Sequence, residues 1–242
     1  MDFNKVLESL KKGNFKPIYI FDGDEPYFID ALTDYIETNV LSPDEKEFNQ
    51  SVLYGQDVSP DELVSVVKRF PMMAPYQVVI VKEAQNWRSA EALKPIFENP
   101  VPSTILVLSF KGKNIDGRSA AFKLAKKNGV HFRSKKLRDY ELVKWIGAYC
   151  SERGISIDPH ASAMLSENIG ANVGNIVNAL DKLQILTPEG DSITADSVSK
   201  HIGISKDFNV FELQKAIGER NDYRAKLIAN YFAGNQKEHH LI

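Results

Sequence analysis

Apolar and polar positions follow two rhythms along this chain. Short, mostly apolar runs at 17–21, 48–54, 78–81, 104–108 and 130–132 read as strands. The clearest is Val78-Val79-Ile80-Val81, whose β-branched side chains favour the extended state. Between the runs, at 26–39, 60–69, 89–97 and 119–127, apolar residues recur at helical spacing. Runs that are apolar throughout are buried on both faces, and their alternation with helices predicts βαβ units around a mostly parallel sheet. After residue 137 no strand of any length is expected. Helical patterns cover 138–153, 161–169, 173–186, 195–202, 210–217 and 223 to the end. Gly154 is placed to stop the first of these and Asp158-Pro159 to start the second. The expectation is an α/β domain followed by helices.

Composition narrows the class. The chain has 242 residues, 43% hydrophobic and 26% charged, with a net charge of −2. That suits a folded domain with a real core, and excludes a basic nucleic-acid coat and an acidic disordered tail. The single cysteine, Cys150, excludes a disulfide framework or a multi-cysteine zinc site and fits a reducing compartment. MDFNKVLESLKKG lacks the apolar centre of a signal peptide, and no run approaches the roughly 20 apolar residues of a membrane span. A soluble cytoplasmic protein is expected, with no membrane partner.

The near-neutral total hides segregation. Residues 1–62 hold 5 basic and 14 acidic residues, whereas residues 111–138 hold 10 basic residues against Asp116 alone. The basic stretch includes Lys111, Lys113, Arg118, Lys123, Lys126, Lys127, Arg133, Lys135, Lys136 and Arg138. It could meet phosphates, or pair with the acidic start of the chain or a neighbouring subunit; composition favours a paired or solvated surface.

A first strand ending in a glycine turn invites comparison with a phosphate-binding loop, G-x-x-x-x-G-K-[ST]. Here the turn reads Phe21-Asp22-Gly23-Asp24-Glu25-Pro26-Tyr27. It has one glycine, three carboxylates, and no lysine or hydroxyl at the required spacing. Pro26 removes an N–H donor but suits a first helical position. The strand at 78–81 runs into Lys82-Glu83-Ala84 where metal-binding acids would be needed. No nucleotide cofactor or metal is expected. The histidines, His131, His160, His201, His239 and His240, show neither metal-ligand nor triad spacing, and Cys150 lies on an apolar helical pattern, so no catalytic residue is assigned.

The unusual segment is 66–77, a connection that holds Phe70, Met72, Met73 and Tyr76, with two prolines, Pro71 and Pro75, limiting its freedom. Composition alone favours these side chains folding back onto the sheet edge. The alternative is an exposed apolar wedge that enters a partner's pocket, a role that suits flexible methionines.

Four phrases, in order, resemble the delta subunit of the bacterial DNA polymerase III clamp loader. They are Ile18-Tyr19-Ile20-Phe21-Asp22-Gly23-Asp24-Glu25-Pro26-Tyr27, Arg69-Phe70-Pro71-Met72-Met73 with Val78-Val79-Ile80-Val81-Lys82, Asn175-Ile176-Val177-Asn178-Ala179-Leu180-Asp181-Lys182-Leu183, and Phe208-Asn209-Val210-Phe211-Glu212-Leu213. The resemblance implies an AAA+-like α/β domain with a degenerate phosphate loop over 1–137, a helical lid over 138–206, and the start of a helical collar over 207–242. It further implies a subunit that binds the ring-shaped beta sliding clamp and helps hold it open without hydrolysing ATP. Its implied partners are the gamma/tau ATPase subunits, delta prime, and primer-template DNA within the assembled loader. An apolar pair inserts into the clamp in this family, and the matching positions are Met72 and Met73, with Phe70 and Pro71 beside them. Better-known relatives carry Leu-Phe there, so the two methionines keep apolar character and lose aromatic area. Family members continue for about another hundred residues of collar, so the chain is expected to be cut short. Lys111, Lys113 and Arg118 are the candidates for contact with DNA or a sister subunit. The competing readings are a divergent P-loop ATPase and a stand-alone DNA-binding module using 111–138.

Overall fold

The strand that reads Ile-Tyr-Ile-Phe is an inner strand of the five-stranded sheet. In the computed structural model, which describes residues 2–87, 90–188, 190–202 and 210–234, β1 (Ile18–Gly23) is buried along its whole length. It pairs on one side with β4 (Thr104–Lys111) and on the other with β5 (Val130–Ser134). β3 (Gln77–Lys82) pairs with β4, and β2 (Gln50–Tyr54) forms the far edge, giving the order β2-β3-β4-β1-β5 with every pair parallel. Parallel neighbours need crossovers, and helices on both faces provide the cover that such strands require.

Register decides which side chains meet. Ile18 and Ile20 lie opposite Leu106 and Leu108, which lie opposite Val79 and Val81. Those six pack with Leu63 and Val67 of α4 (Pro60–Val67), Ile96 and Phe97 of α5 (Lys94–Glu98), and Ala121 and Ala125 of α6 (Ala120–Asn128). The alternate strand residues face the other way. There α2 (Pro26–Asn39) buries Ile29, Leu32 and Ile36, and the hydroxyls of its Thr33 and of Ser109 in β4 lie 2.8 Å apart. α1 (Phe3–Lys11) joins this layer through Phe3, whose ring meets Phe28 and Phe132.

Three local expectations need correction. The run at 48–54 is not all strand, because Ser42-Pro43-Asp44-Glu45 forms a capping box and starts α3 (Pro43–Asn49). β2 therefore begins at Gln50. The pattern at 89–97 is not one helix. Its described part is a 3₁₀ turn, Glu91–Leu93, followed by α5, in which Pro95 occupies the first turn. A proline there clashes with a helical carbonyl four residues upstream, so the helix restarts instead of continuing. Finally, the second half does contain strands: β6 (Ser156–Ile157) and β7 (Ser192–Ile193) pair in parallel. Two residues are too few to show a period of two.

Residues 1–136 form one compact unit and 137–242 another. The second contains α7 (Asp139–Glu152), α8 (Pro159–Ile169), α9 (Val173–Leu186) and α10 (Ala195–Ile202), with α11 (Val210–Gly218) packed on α12 (Asp222–Gly234). Asp158 caps α8 by accepting from the His160 N–H at 2.8 Å, and Gly154 takes the left-handed conformation (φ +69°) that ends α7. Cys150 is buried, which pushes its thiol up to about 11, the behaviour of a core residue. The expected boundary at 206/207, Phe208-Asn209, and the terminal His239 and His240 lie outside the described residues. No helix among the described residues is long and apolar enough to cross a membrane.

Glu167 of α8 is the strained charge in this unit. Burial, with the Asp139 carboxylate adding to it, raises its carboxyl from 4.5 to about 7, and its Oε2 has no hydrogen-bond partner. A carboxyl raised on folding loses stability as pH climbs from its unfolded value towards its folded one, here from about 4.5 to about 7. Glu167→Gln is therefore expected to stabilise the chain at pH 8 by on the order of 1–2 kcal/mol. Thermal melts across pH 4–8 check this, and the decline between pH 4.5 and 7 should flatten in the variant.

Candidate functional site

Two places carry unusual chemistry, and both are in the α/β unit. The first is the junction of β1 with α2, where a phosphate loop would lie. Only Asp24 and Glu25 separate strand from helix. The N–H groups around this turn are already used. Gly23 N–H donates to the Lys113 carbonyl (3.2 Å), Asp24 N–H to the Ser134 carbonyl (3.3 Å) and Glu25 N–H to Ser134 Oγ (3.2 Å). Tyr27 N–H donates to Glu25 Oε1 at 3.2 Å, and Pro26 has no N–H to offer. Gly23, at φ +128°, must be glycine, because a Cβ there would sit 2.1 Å from the Ser134 carbonyl oxygen.

Asp22 sits beneath this turn with no exposed surface. Its carboxylate accepts from Arg133 Nε at 3.0 and 3.1 Å and from the Ile115 N–H at 2.8 Å, and His131 Nε2 lies 2.9 Å away. Burial alone would push the carboxyl up; these hydrogen bonds outweigh it and hold it down to about 2. Lys82, at the end of β3, is flanked by Glu37 (2.8 Å) and Asp34 (3.4 Å) of α2.

The second place is the connection between α4 and β3. Phe70, Met72 and Met73 are 83%, 63% and 103% exposed, so the expectation that they fold back onto the sheet edge is wrong for all three. Pro71 is half-buried, and only Tyr76 turns inward, its ring edge-on to Phe15 at 5.8 Å. The backbone beneath these side chains is fixed at both ends. Gln77 Nε2 and Thr104 Oγ1 donate to the last carbonyls of α4, Val66 (3.1 Å) and Val67 (3.0 Å). Asn49, at the end of α3, grips Met72: its Oδ1 accepts from the Met72 N–H at 2.6 Å and its Nδ2 donates to the Met72 carbonyl at 3.0 Å. Met73 adopts φ 52°, a left-handed conformation that an L residue holds only where its surroundings impose it. Phe48, beside Asn49, is also exposed.

Folding disperses the basic stretch. Lys111 Nζ lies 2.6 Å from Asp30 of α2, and Arg133 is spent on Asp22, so part of the stretch pairs with the acidic start of the chain. Lys113 Nζ donates to the Gln85 carbonyl at 3.1 Å, and Arg118 pairs with Asp116 at 3.0 Å on the surface. Each of the three cations proposed for DNA or subunit contact therefore has a partner within its own unit. Lys123, Lys126 and Lys127 are exposed on α6, and Lys135 and Lys136 are exposed beyond β5.

Residues 19–135 match the family described as "DNA polymerase III, delta subunit". The matched segment is somewhat less than half of the chain. The match takes in the degenerate β1–α2 turn, Asn49, the exposed segment and most of the basic stretch, and it agrees with the resemblance over the first two of the four phrases. A curated relative of the family, DNA polymerase III subunit delta of Bacillus subtilis (strain 168), is 26% identical over 225 residues. That alignment covers 89% of this chain and 65% of the relative, so the chain spans somewhat less than two thirds of the relative's length. The solved DNA clamp loader delta protein of Bacillus subtilis matches with a TM-score of 0.69 at 24% identity, over 97% of this chain and 72% of that one. The likeness establishes the fold, an AAA+-like α/β domain accompanied by helices.

The sequence pointed to Phe70–Met73 and to the altered turn, but not to Asn49, Arg133 or His131 as the groups that hold them. The Asp22 carboxyl, depressed on folding, contributes stability that is complete above its usual value near 3.8 and is lost as pH falls through about 2. The wild type is expected to lose about 2 kcal/mol from this group between pH 5 and pH 2. Asp22→Asn should lack that acid limb and be about 3 kcal/mol less stable at pH 7, because it leaves Arg133 without its counter-charge. Urea unfolding as a function of pH measures both.

Proposed function

We propose that this chain is a clamp-binding delta subunit of a DNA polymerase III clamp loader. It docks Phe70, Pro71, Met72 and Met73 into an apolar pocket on the ring-shaped beta sliding clamp and helps hold the ring open for loading onto primed DNA. The observation that carries this reading is the exposed segment itself: three large apolar side chains standing in water on a backbone fixed by α3, β3 and β4. Isolated surface apolar residues are ordinary, but a cluster on a held loop is what a docking anchor requires.

The same reading makes the chain a non-catalytic member of its assembly. A phosphate site needs unoccupied N–H groups and a cation, whereas this turn directs its N–H groups at protein acceptors and lies among Asp22, Asp24 and Glu25. ATP turnover then falls to the gamma/tau subunits, with delta prime completing the ring and primer-template DNA bound once it is assembled. Residues 138–206 act as the lid and 207–242 begin the collar. Lys123, Lys126 and Lys127 on α6, more than Lys111, Lys113 or Arg118, keep their charge on the open surface for DNA or a sister subunit.

The deciding experiment is equilibrium binding to the sliding clamp of the same organism. Burying two methionines contributes roughly 1.5 kcal/mol each, so Met72→Ser/Met73→Ser should weaken binding about 100-fold. Undiminished binding by the double variant would sink the wedge. Titration with ATP and magnesium should give no saturable binding and no hydrolysis above background; measurable turnover would favour the divergent ATPase instead.

A further inference from the structure

Asn49 is buried, with 2% exposure, at the point where α3 gives way to the edge strand, yet none of its side-chain bonds serves the sheet. Its amide forms a two-point contact with the backbone of one distant residue, accepting from Met72 N–H and donating to Met72 C=O, as a neighbouring strand would. A second donation from Nδ2, to the Glu45 carbonyl at 2.9 Å, fixes the amide against α3, whose start is set by the Ser42–Glu45 capping box. The oxygen and nitrogen assignment follows from these partners, since a flipped amide would place donor against donor at Met72. The result is a short path from a capped helix, through one amide, to the residue at the tip of the exposed segment. Met73, the next residue, is the one held at positive φ.

We propose that Asn49 is a positioning residue for clamp docking: it touches no partner itself, and holds the backbone of Met72 so that Met72 and Met73 meet the clamp already arranged. The inference rests on the clamp-docking reading above. Ordering a loop on binding costs affinity, and a loop ordered beforehand avoids that cost. Serine or threonine does not replace Asn49, because a single, shorter hydroxyl oxygen stands where Asn49 uses two separate atoms, Oδ1 for the Met72 N–H and Nδ2 for the Met72 carbonyl. Aspartate keeps the acceptor but, when ionised, turns a second oxygen towards the carbonyls of Met72 and Glu45. When protonated, it restores a donor.

The test uses the full chain and the purified clamp, with Asn49→Ala, Asn49→Asp, Met72→Ala and the Asn49→Ala/Met72→Ala pair. Amide exchange at Met72 reports the loop, and exchange at Val79 and Val107 reports the sheet. Asn49→Ala should deprotect Met72, leave Val79 and Val107 protected, and weaken clamp binding about 10-fold. The loss should be smaller in the Met72→Ala background, since Asn49 would still hold the backbone there but with no methionine side chain at position 72 to present to the clamp. Asn49→Asp should recover affinity relative to wild type as pH is lowered from 8 to 5.5, a response that a merely structural role would not give. Wild-type affinity in an Asn49→Ala chain whose Met72 amide has lost protection would overturn the proposal. So would additive losses in the pair, or a flat Asn49→Asp to wild-type ratio across pH. If Asn49→Ala does not fold, the Asn49→Asp pH ratio decides alone. Wild-type binding by Met72→Ser/Met73→Ser is a different failure, because it removes the docking reading itself.

Discussion

A carboxylate with no exposure to water has to be surrounded by donors, and satisfying Asp22 organises the α/β unit. Two of its partners, His131 and Arg133, come from the edge strand β5, and a third, the Ile115 N–H, comes from the loop after β4. Removing a partner from such a buried pair costs about 3–5 kcal/mol, enough to make β5 and that loop obligatory parts of the fold. The same cluster brings Ser134 beneath the β1–α2 turn, where its carbonyl and hydroxyl take up the N–H groups of Asp24 and Glu25. One ion pair thus closes the sheet edge and fills, with the chain's own atoms, the space in which a related fold would hold a phosphate.

That arrangement separates a rigid core from a surface free to specialise in contact. The sheet is covered on both faces, and α4 ends with its last carbonyls tied to Gln77 and Thr104. Phe70, Met72 and Met73 stand out at the edge of this frame instead of packing within it. Exposed apolar area is a solubility cost unless something covers it, and here it is confined to a few residues on a backbone that is already ordered. The chain is therefore read as one that does its work by fitting a partner. Its charges divide in the same way: Lys82, Lys111 and Arg133 neutralise the acidic face of α2 and the buried Asp22, while Lys123, Lys126, Lys127, Lys135 and Lys136 stay exposed.

The sequence revealed what depends on local pattern. Five strands, the helices between them and the caps at Asp158 and Gly154 were legible because periodicity, proline and glycine act over a few residues. The altered turn was legible for the same reason: a phosphate loop is a local chemical requirement, and Asp22-Gly23-Asp24-Glu25-Pro26 does not meet it. What was hidden depends on distance along the chain. Asp22 and Arg133 are 111 residues apart, and Asn49 and Met72 are 23 apart, so neither pairing leaves a periodic trace. Asn49 was further disguised by a strand-like run, which hid the helix that the Ser42–Glu45 capping box begins. The direction of Phe70, Met72 and Met73 could not be read from composition, which argued for burial; the backbone grip on Met72 decides it.

The central claim is that the Phe70–Met73 segment is the surface that meets the sliding clamp, and a photo-crosslinking residue at Met73, the most exposed of the set, tests it directly. Irradiation with the clamp should join position 73 to apolar residues lining a pocket on the ring, while the same probe at Lys127 on α6 should give no clamp adduct. Adducts from position 127 with none from position 73 would contradict the account.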